Sequence, residues 1–144
     1  MNQICKSVLA AAVISAIACH DVSGPPGMPA NYVLRNISGR SLPTFFWTDS
    51  PESPTILGSA LFLDGAGNAT VVEVQQPTTG GSVTYTTNYR YVIDGDAVEF
   101  EIECPPNALC IRPPTGVFHG SHLLLDMSGG QGVAVYDYEL VIGD

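Results

Sequence analysis

The stretch Val83-Thr-Tyr-Thr-Thr-Asn-Tyr-Arg-Tyr-Val-Ile-Asp-Gly-Asp-Ala-Val-Glu-Phe-Glu-Ile-Glu103 decides the fold, because aromatic and aliphatic residues alternate with polar ones along most of it. In its second half Val98, Phe100 and Ile102 share one face, and three glutamates share the other. A period of two is that of a β-strand with one buried side. Asp94-Gly95-Asp96 interrupts the alternation with residue types typical of a tight turn. The stretch therefore predicts two antiparallel strands joined by a hairpin.

The same pattern extends outward to both sides of this hairpin. Short runs rich in β-branched and aromatic residues are separated by Gly, Pro, Asp and Asn, and no run after the first 30 residues carries a helical stripe. The runs are 32–37, 44–48, 56–63, 69–75, 83–93, 97–103, 116–127 (two strands with an internal turn) and 133–142. The run 44–48 is either a strand or a loop. We predict an all-β protein, an antiparallel up-and-down meander barrel of about eight strands, because closure removes vulnerable edges. A β-sandwich is the alternative architecture.

Charge excludes several classes of function. After Cys19 the chain holds all 14 acidic residues and four arginines, which leaves a formal charge of −10. Nucleic acid binding needs clustered cations, so we expect no nucleic acid partner. Lys6 is the only lysine of the sequence and precedes Cys19, so Schiff-base, Ser-Lys and P-loop chemistry are excluded from the part that follows.

The N-terminus has the pattern of an export signal. An apolar run over residues 8–18 follows Lys6 and is too short to span a bilayer as a helix, but it matches the core of a signal peptide. We predict a signal peptide over 1–18, cleaved before Cys19. Residues 19–30 are rich in Pro and Gly and predict a flexible tether, which leaves 31–144 as the β-barrel domain.

Ala16-Ile-Ala-Cys19 resembles the lipobox of bacterial lipoproteins. The resemblance implies that Cys19 becomes the lipidated first residue and anchors the protein to a membrane of the bacterial cell envelope. In such lipoproteins Asp directly after the cysteine retains the protein at the inner membrane, and His20 occupies that place here. The expected location is therefore the outer membrane, on either its periplasmic or its surface side.

Two cysteines remain for other chemistry once Cys5 is assigned to the leader and Cys19 to the lipid. Cys104 and Cys110 enclose five residues, and an oxidising exported compartment favours a disulfide between them. So small a ring would stabilise the fold by about 2 kcal/mol. The alternative is a metal or redox pair, although the spacing matches neither the short cysteine spacings of zinc sites nor Cys-x-x-Cys.

Two histidines form a candidate pair of metal ligands. His119 and His122 flank Gly120-Ser121, and a hairpin turn there would bring their Cβ atoms to about 5 Å from each other. A zinc site needs at least a third protein ligand, for which Asp126 or the 94–96 loop is available. The alternative is an exposed cross-strand pair that binds nothing.

The sequence contains no motif that indicates an enzyme active site. Ser121 is adjacent to both histidines on a tight turn, which does not align its hydroxyl with an imidazole, and no Gly-x-Ser-x-Gly elbow is present. Glu99, Glu101 and Glu103 alternate outward as a solvated face rather than as a glycosidase pair. We expect a protein that is not an enzyme and that uses no cofactor.

Aromatic residues give the candidate ligand site. Phe45, Phe46 and Trp47 cannot all point to one side of a strand, so at least one should be accessible near the mouth of the barrel. Core packing at the barrel end is the alternative. A second set of aromatic residues could either contact a ligand or fill the interior: Tyr85, Tyr89 and Tyr91.

Residues 32–43, 58–68, 91–100 and 115–125 follow a strand, tight turn, strand rhythm that resembles small bacterial lipocalin-like lipoproteins. The resemblance covers about residues 31–142 and implies an eight-stranded meander barrel that binds ligands or partners through its interior or rim. It implies no catalytic residues. The first hypothesis is therefore a lipid-anchored binder of a small hydrophobic or amphipathic molecule. The rival is a protein-interaction module or envelope enzyme inhibitor with a packed interior.

Overall fold

A computed structural model describes residues 28–46, 53–102, 112–128 and 134–142. The signal peptide, Cys19, Trp47, Cys104 and Cys110 lie outside these residues, so the predictions made for them stay predictions. Within the described ranges, no helix is long and apolar enough to cross a membrane.

The described part of the chain forms ten β-strands and no helix. Eight of them are long enough to build a wall, whereas β2 and β3 have two residues each. The strands are β1 (Ala30–Ile37), β2 (Arg40–Ser41), β3 (Thr44–Phe45), β4 (Thr55–Leu63), β5 (Asn68–Gln76), β6 (Val83–Asp94), β7 (Ala97–Glu101), β8 (Thr115–His119), β9 (His122–Asp126) and β10 (Val135–Val141).

The eight long strands close into an antiparallel barrel. From β4 to β10 each strand pairs with the next in sequence, β10 pairs with β1, and β1 pairs with β4 to complete the ring. The closing register sets Ala30 opposite Leu63 and Val33 opposite Ala60. The predicted meander barrel of about eight strands is therefore confirmed, and the sandwich is not observed. A barrel of this size encloses space for side chains or for one small ligand.

The observed strands lie close to the positions predicted from the sequence. The 97–103 run is a strand over Ala97–Glu101, and the 83–93 run is a single strand over Val83–Asp94. Of the 44–48 run, the structure describes residues 44–46, and Thr44–Phe45 form a strand. The strand Arg40–Ser41 was not predicted, because two residues are too few to show a period. The first strand begins at Ala30, which the sequence placed at the end of the tether.

Two hairpins have the predicted two-residue turns. Asp94 pairs with Ala97 around Gly95-Asp96, and His119 pairs with His122 around Gly120-Ser121. Gly95 and Gly120 each have φ of +61°, a left-handed conformation at the first central position that glycine adopts without strain. Such tight turns keep consecutive strands adjacent, which is why the chain forms a meander.

The barrel has two ends of different character. At one end, called here the turn end, lie the start of β1 and the β4–β5, β6–β7 and β8–β9 hairpins. At the other, called the loop end, lie β2, β3 and the starts of β4 and β6. Aromatic pairs such as Tyr32–Phe118 and Tyr91–Phe100, with ring centroids 6.4 and 6.3 Å apart, pack the interior.

Candidate functional site

A carboxylate lies on the inner wall of the barrel. Glu73 follows the buried residues Ala69 and Val71 at the same parity of β5, so it points inward, and it is half-buried. Its register partners are Ser59 on β4 and Tyr85 on β6. The amide of Gln75, the next inward residue, donates to Glu73 Oε1 at 2.5 Å. An acid at this position is unusual because desolvation of a charge is costly.

Glu73 belongs to a group of interior polar side chains on four strands, called here the polar cluster. Its members are Ser59, Glu73, Gln75, Tyr89, Tyr136 and Tyr138. Burial is the main cause that raises the pKa of Tyr89 and of Tyr136, and the negative charge of Glu73 is the next cause for both tyrosines. The charge of the inner acid thus acts on phenols from β6 and β10.

One tyrosine of the cluster is fully satisfied. The Tyr138 hydroxyl shares a hydrogen bond of 2.8 Å with Ser59 Oγ, and both side chains are buried. Burial raises the pKa of Tyr138, the hydrogen bond with Ser59 lowers it, and the charge of Glu73 raises it further. This pair links β4 to β10 across the barrel interior, because the two strands are not neighbours in the wall.

Its neighbour Tyr136 is not satisfied. The side chain is completely buried and its ring centroid lies 6.1 Å from those of Tyr138 and of Phe46. Its hydroxyl has no hydrogen-bond partner within bonding distance among the described residues. The charge of the nearby Glu73 carboxylate and the contact of that carboxylate with the Tyr136 hydroxyl both raise the pKa of Tyr136, although the hydroxyl makes no hydrogen bond of normal geometry among the described residues. Native proteins satisfy most buried polar groups, so an orphan hydroxyl needs an explanation.

An open cavity reaches the cluster at Tyr89. It has a volume of about 510 Å³ and lies where the pairing between β6 and β7 ends, at Arg90 and Glu101. Its lining combines inward residues with outward ones: Ala69, Tyr89, Ile102, Asn68, Thr70, Asn88 and Arg90. The volume lies within the range of about 300–1,000 Å³ that is usual for small-molecule sites.

The predicted aromatic residues are distributed over distinct environments. Phe46 is half-buried and packs edge-on against Tyr136, whereas Phe45 is 50% exposed, so one member of the triplet is accessible as expected. Along β6, exposure falls from Tyr85 (49%) through half-buried Tyr89 to buried Tyr91. Tyr89 is therefore the aromatic residue of this set that joins the cavity to the interior, and Tyr91 belongs to the core.

The histidine pair occupies the outer wall. His119 and His122 are directly opposite each other, as the hairpin predicts. His122 Nδ1 lies 2.7 Å from Asp137 Oδ1, and Asn36 Nδ2 donates to the other oxygen of that carboxylate at 2.8 Å. Among the described residues, no three His, Cys, Asp or Glu side chains are grouped so that they could hold a metal ion. The pair thus lacks, in this part of the chain, the third ligand that zinc requires.

The polar cluster was not predicted from the sequence, although the sequence contains one signal for it. Ala69, Val71 and Glu73 share a parity within a predicted strand, and an acid at an inward position marks a departure from the apolar pattern. The partners of Glu73 gave no local signal, because Tyr136 and Tyr138 are more than 60 residues away.

No family model, no curated protein and no solved structure matches this chain.

Proposed function

We propose that this protein is a lipid-anchored, non-enzymatic protein of the bacterial cell envelope that binds one small amphipathic molecule in its β-barrel. The observation that carries the proposal is that Tyr89 both lines the open cavity and lies close enough to Glu73 for that charge to raise its pKa. Aromatic surface beside a few convergent polar groups is typical of small-molecule sites. An amphipathic ligand matches the mixed lining of the cavity, in which apolar surface lies beside polar side chains: Ala69, Tyr89, Ile102, Asn68, Thr70, Asn88 and Arg90.

The position at which the barrel begins is compatible with the anchor that the lipobox resemblance implies. The first strand starts at the turn end, where Ala30 pairs with Leu63. A tether attached there leaves the loop end, with Phe45 and Tyr85, free to face away from the membrane. Two or three acyl chains on Cys19 would supply stable attachment. If the anchor is present, the natural protein is an acylated chain that starts at Cys19 and not at Met1. Mass spectrometry of the natural protein measures this.

The binding experiment compares the inner and outer faces of one strand. Tyr89→Ala removes the ring that joins cavity and cluster, and Val92→Ala removes a side chain that is exposed on the outer wall three residues later. Calorimetry with octyl amphiphiles of each charge type, kept below micelle formation, measures affinity. We expect at least one to bind, and we expect Tyr89→Ala to weaken it by about tenfold while Val92→Ala leaves it unchanged. If no amphiphile binds the folded protein, the ligand-binding proposal is wrong.

The rival function, recognition of another envelope protein, has one observation in its favour. Phe62 on β4 and Val72 on β5 are diagonal neighbours on the outer wall, and both are exposed. Exposed apolar residues that lie side by side are typical of interaction surfaces. This rival would be favoured by two results together. None of the amphiphiles binds the folded protein, and the protein captures one envelope protein in a way that Phe62→Ser abolishes.

A further inference from the structure

The charge of Glu73 is not neutralised by the protein within the described ranges. Glu73 takes part in neither of the ion pairs that described residues form with one another, Arg35–Glu139 and His122–Asp137, whose side chains lie outside the interior core. Glu73 accepts a hydrogen bond from the amide of Gln75, which is neutral and leaves the charge uncompensated. A charge inside a protein is normally paired or bound to a cation, since desolvation is otherwise uncompensated.

A second observation at the same place points to a missing partner. The Tyr136 side chain is fully buried, and its hydroxyl lies against the Glu73 carboxylate without a hydrogen bond of normal geometry among the described residues. The neighbouring hydroxyl of Tyr138 is already bonded to Ser59, so it does not supply the missing contact. A carboxylate is an acceptor only, and a tyrosine oxygen can also accept. One external donor group would therefore bond to both oxygens, and the Tyr136 O–H would remain directed at the carboxylate.

The surrounding rings favour a positively charged donor. Phe46, Tyr136 and Tyr138 form a chain of aromatic side chains with successive centroids 6.1 Å apart. Aromatic faces attract ammonium groups, most strongly where water is excluded. The formal charge of the chain after Cys19 also attracts cations and repels anions over a longer range.

We propose that Glu73 and Tyr136 form a recognition site for the ammonium group of an amphipathic amine. The amine N–H groups donate to the Glu73 carboxylate and to the Tyr136 oxygen, and the alkyl chain extends past the Tyr89 ring along the apolar part of the cavity lining, Ala69 and Ile102. The inference rests on the proposed ligand-binding function and adds the chemical class of the ligand. An alkylamine is charged at neutral pH, since its pKa is close to that of lysine.

The test uses the full chain and three octyl probes that differ in the head group: octylammonium, octanol and octanoate. Calorimetry on the wild-type protein is expected to give the tightest binding for octylammonium, with octanol weaker by about tenfold or more and octanoate weakest. Glu73→Gln keeps the size of the side chain and a partner for Gln75 but removes the charge. We expect this variant to bind octylammonium and octanol equally, and Tyr136→Phe to weaken octylammonium alone.

Glu99→Gln is the matched control. Glu99 is exposed on the outer face of β7, so the substitution makes the same change in net charge without touching the interior, and we expect unchanged affinity for octylammonium. Thermal unfolding and circular dichroism verify that each variant is folded.

The outcomes separate the two proposals. Equal binding of octylammonium and octanol by the wild-type protein, or equal losses in Glu73→Gln and Glu99→Gln, would overturn amine recognition and leave the ligand-binding barrel in place. Absence of binding for all three probes to the folded protein would overturn both.

Discussion

At the scale of single residues, the barrel gives one side-chain type two different environments. Tyr136 and Tyr138 are two positions apart on β10, both point inward and both are fully buried. Tyr138 shares a hydrogen bond with Ser59, whereas the Tyr136 hydroxyl is unpartnered among the described residues. A buried hydroxyl stabilises a fold only when its hydrogen bonds are made. The two phenols should therefore differ in what their hydroxyls contribute to stability.

Substitution by phenylalanine measures that difference directly. Tyr138→Phe leaves the Ser59 hydroxyl buried without its partner, so we expect the free energy of unfolding to fall by about 1–3 kcal/mol. Tyr136→Phe removes an unsatisfied group, and we expect stability equal to that of the wild-type protein or higher by up to about 1 kcal/mol. Urea unfolding followed by circular dichroism gives both values. A larger loss for Tyr136→Phe than for Tyr138→Phe would contradict the assignment of the orphan hydroxyl.

At the scale of elements, the β8–β9 hairpin shows how a strand glycine is required for packing rather than for a turn. Gly116 lies on β8 opposite Leu125, which is fully buried on β9. A Cβ atom at Gly116 would lie 2.4 Å from Leu125 Cδ2 and 2.5 Å from the Leu124 carbonyl oxygen. The second contact is with backbone, which cannot move aside without breaking the strand pairing. The absence of a side chain at Gly116 therefore lets the two strands and their leucines pack.

We expect Gly116→Ala to destabilise the protein by about 2 kcal/mol, which is typical of overpacking in a close-packed interior. Gly58→Ala provides the matched control, because Gly58 lies in β4 next to a register shift and a Cβ atom there would meet nothing within 4 Å. That control should change stability by no more than about 0.5 kcal/mol. Thermal unfolding of both variants checks the pair, and equal losses would show that glycine flexibility, not space, determines the effect.

At the scale of the whole molecule, closure makes the interior a single environment. The pairing of β1 with both β4 and β10 leaves no open edge between these strands, and it encloses the tyrosines of the polar cluster within one continuous wall. Burial raises the pKa of Tyr136 and of Tyr138. Because the enclosure depends on the complete ring of strands, ionisation of these phenols is linked to unfolding of the entire barrel.

The linkage predicts alkaline unfolding. The fold favours the neutral phenol, so this contribution to stability is complete below the pKa of an unfolded tyrosine, about 10, and decreases as the pH rises above it. We expect Tyr136 and Tyr138 to ionise only together with loss of the β-sheet signal, which parallel titrations by tyrosinate absorbance and circular dichroism would record. The double variant Tyr136→Phe/Tyr138→Phe should lack the absorbance change of two tyrosines at that transition. Ionisation of all six tyrosines in a protein that keeps its β-sheet signal would refute the linkage.

Part of the site could be predicted from sequence and part could not. Alternation places Tyr85, Tyr89 and Tyr91 on the inner face of β6, but it does not indicate that exposure falls steadily along this strand. That gradient arises because the described part of β7 pairs only with Arg90–Asp94. Likewise, the His119–His122 pairing follows from the turn, whereas the contact of His122 with Asp137 requires the next strand.

The amino-acid sequence alone determined the β class, the positions of the strands and their order around the wall, because a period of two and two-residue turns are local properties of the chain. Only the tertiary structure decided that β1 closes the ring onto β4 and that Glu73, Ser59, Tyr136 and Tyr138 come together inside it. These residues lie on strands distant in sequence, and their meeting depends on register and closure. Neither is encoded in any short segment, because both result from the packing of all eight strands around one interior.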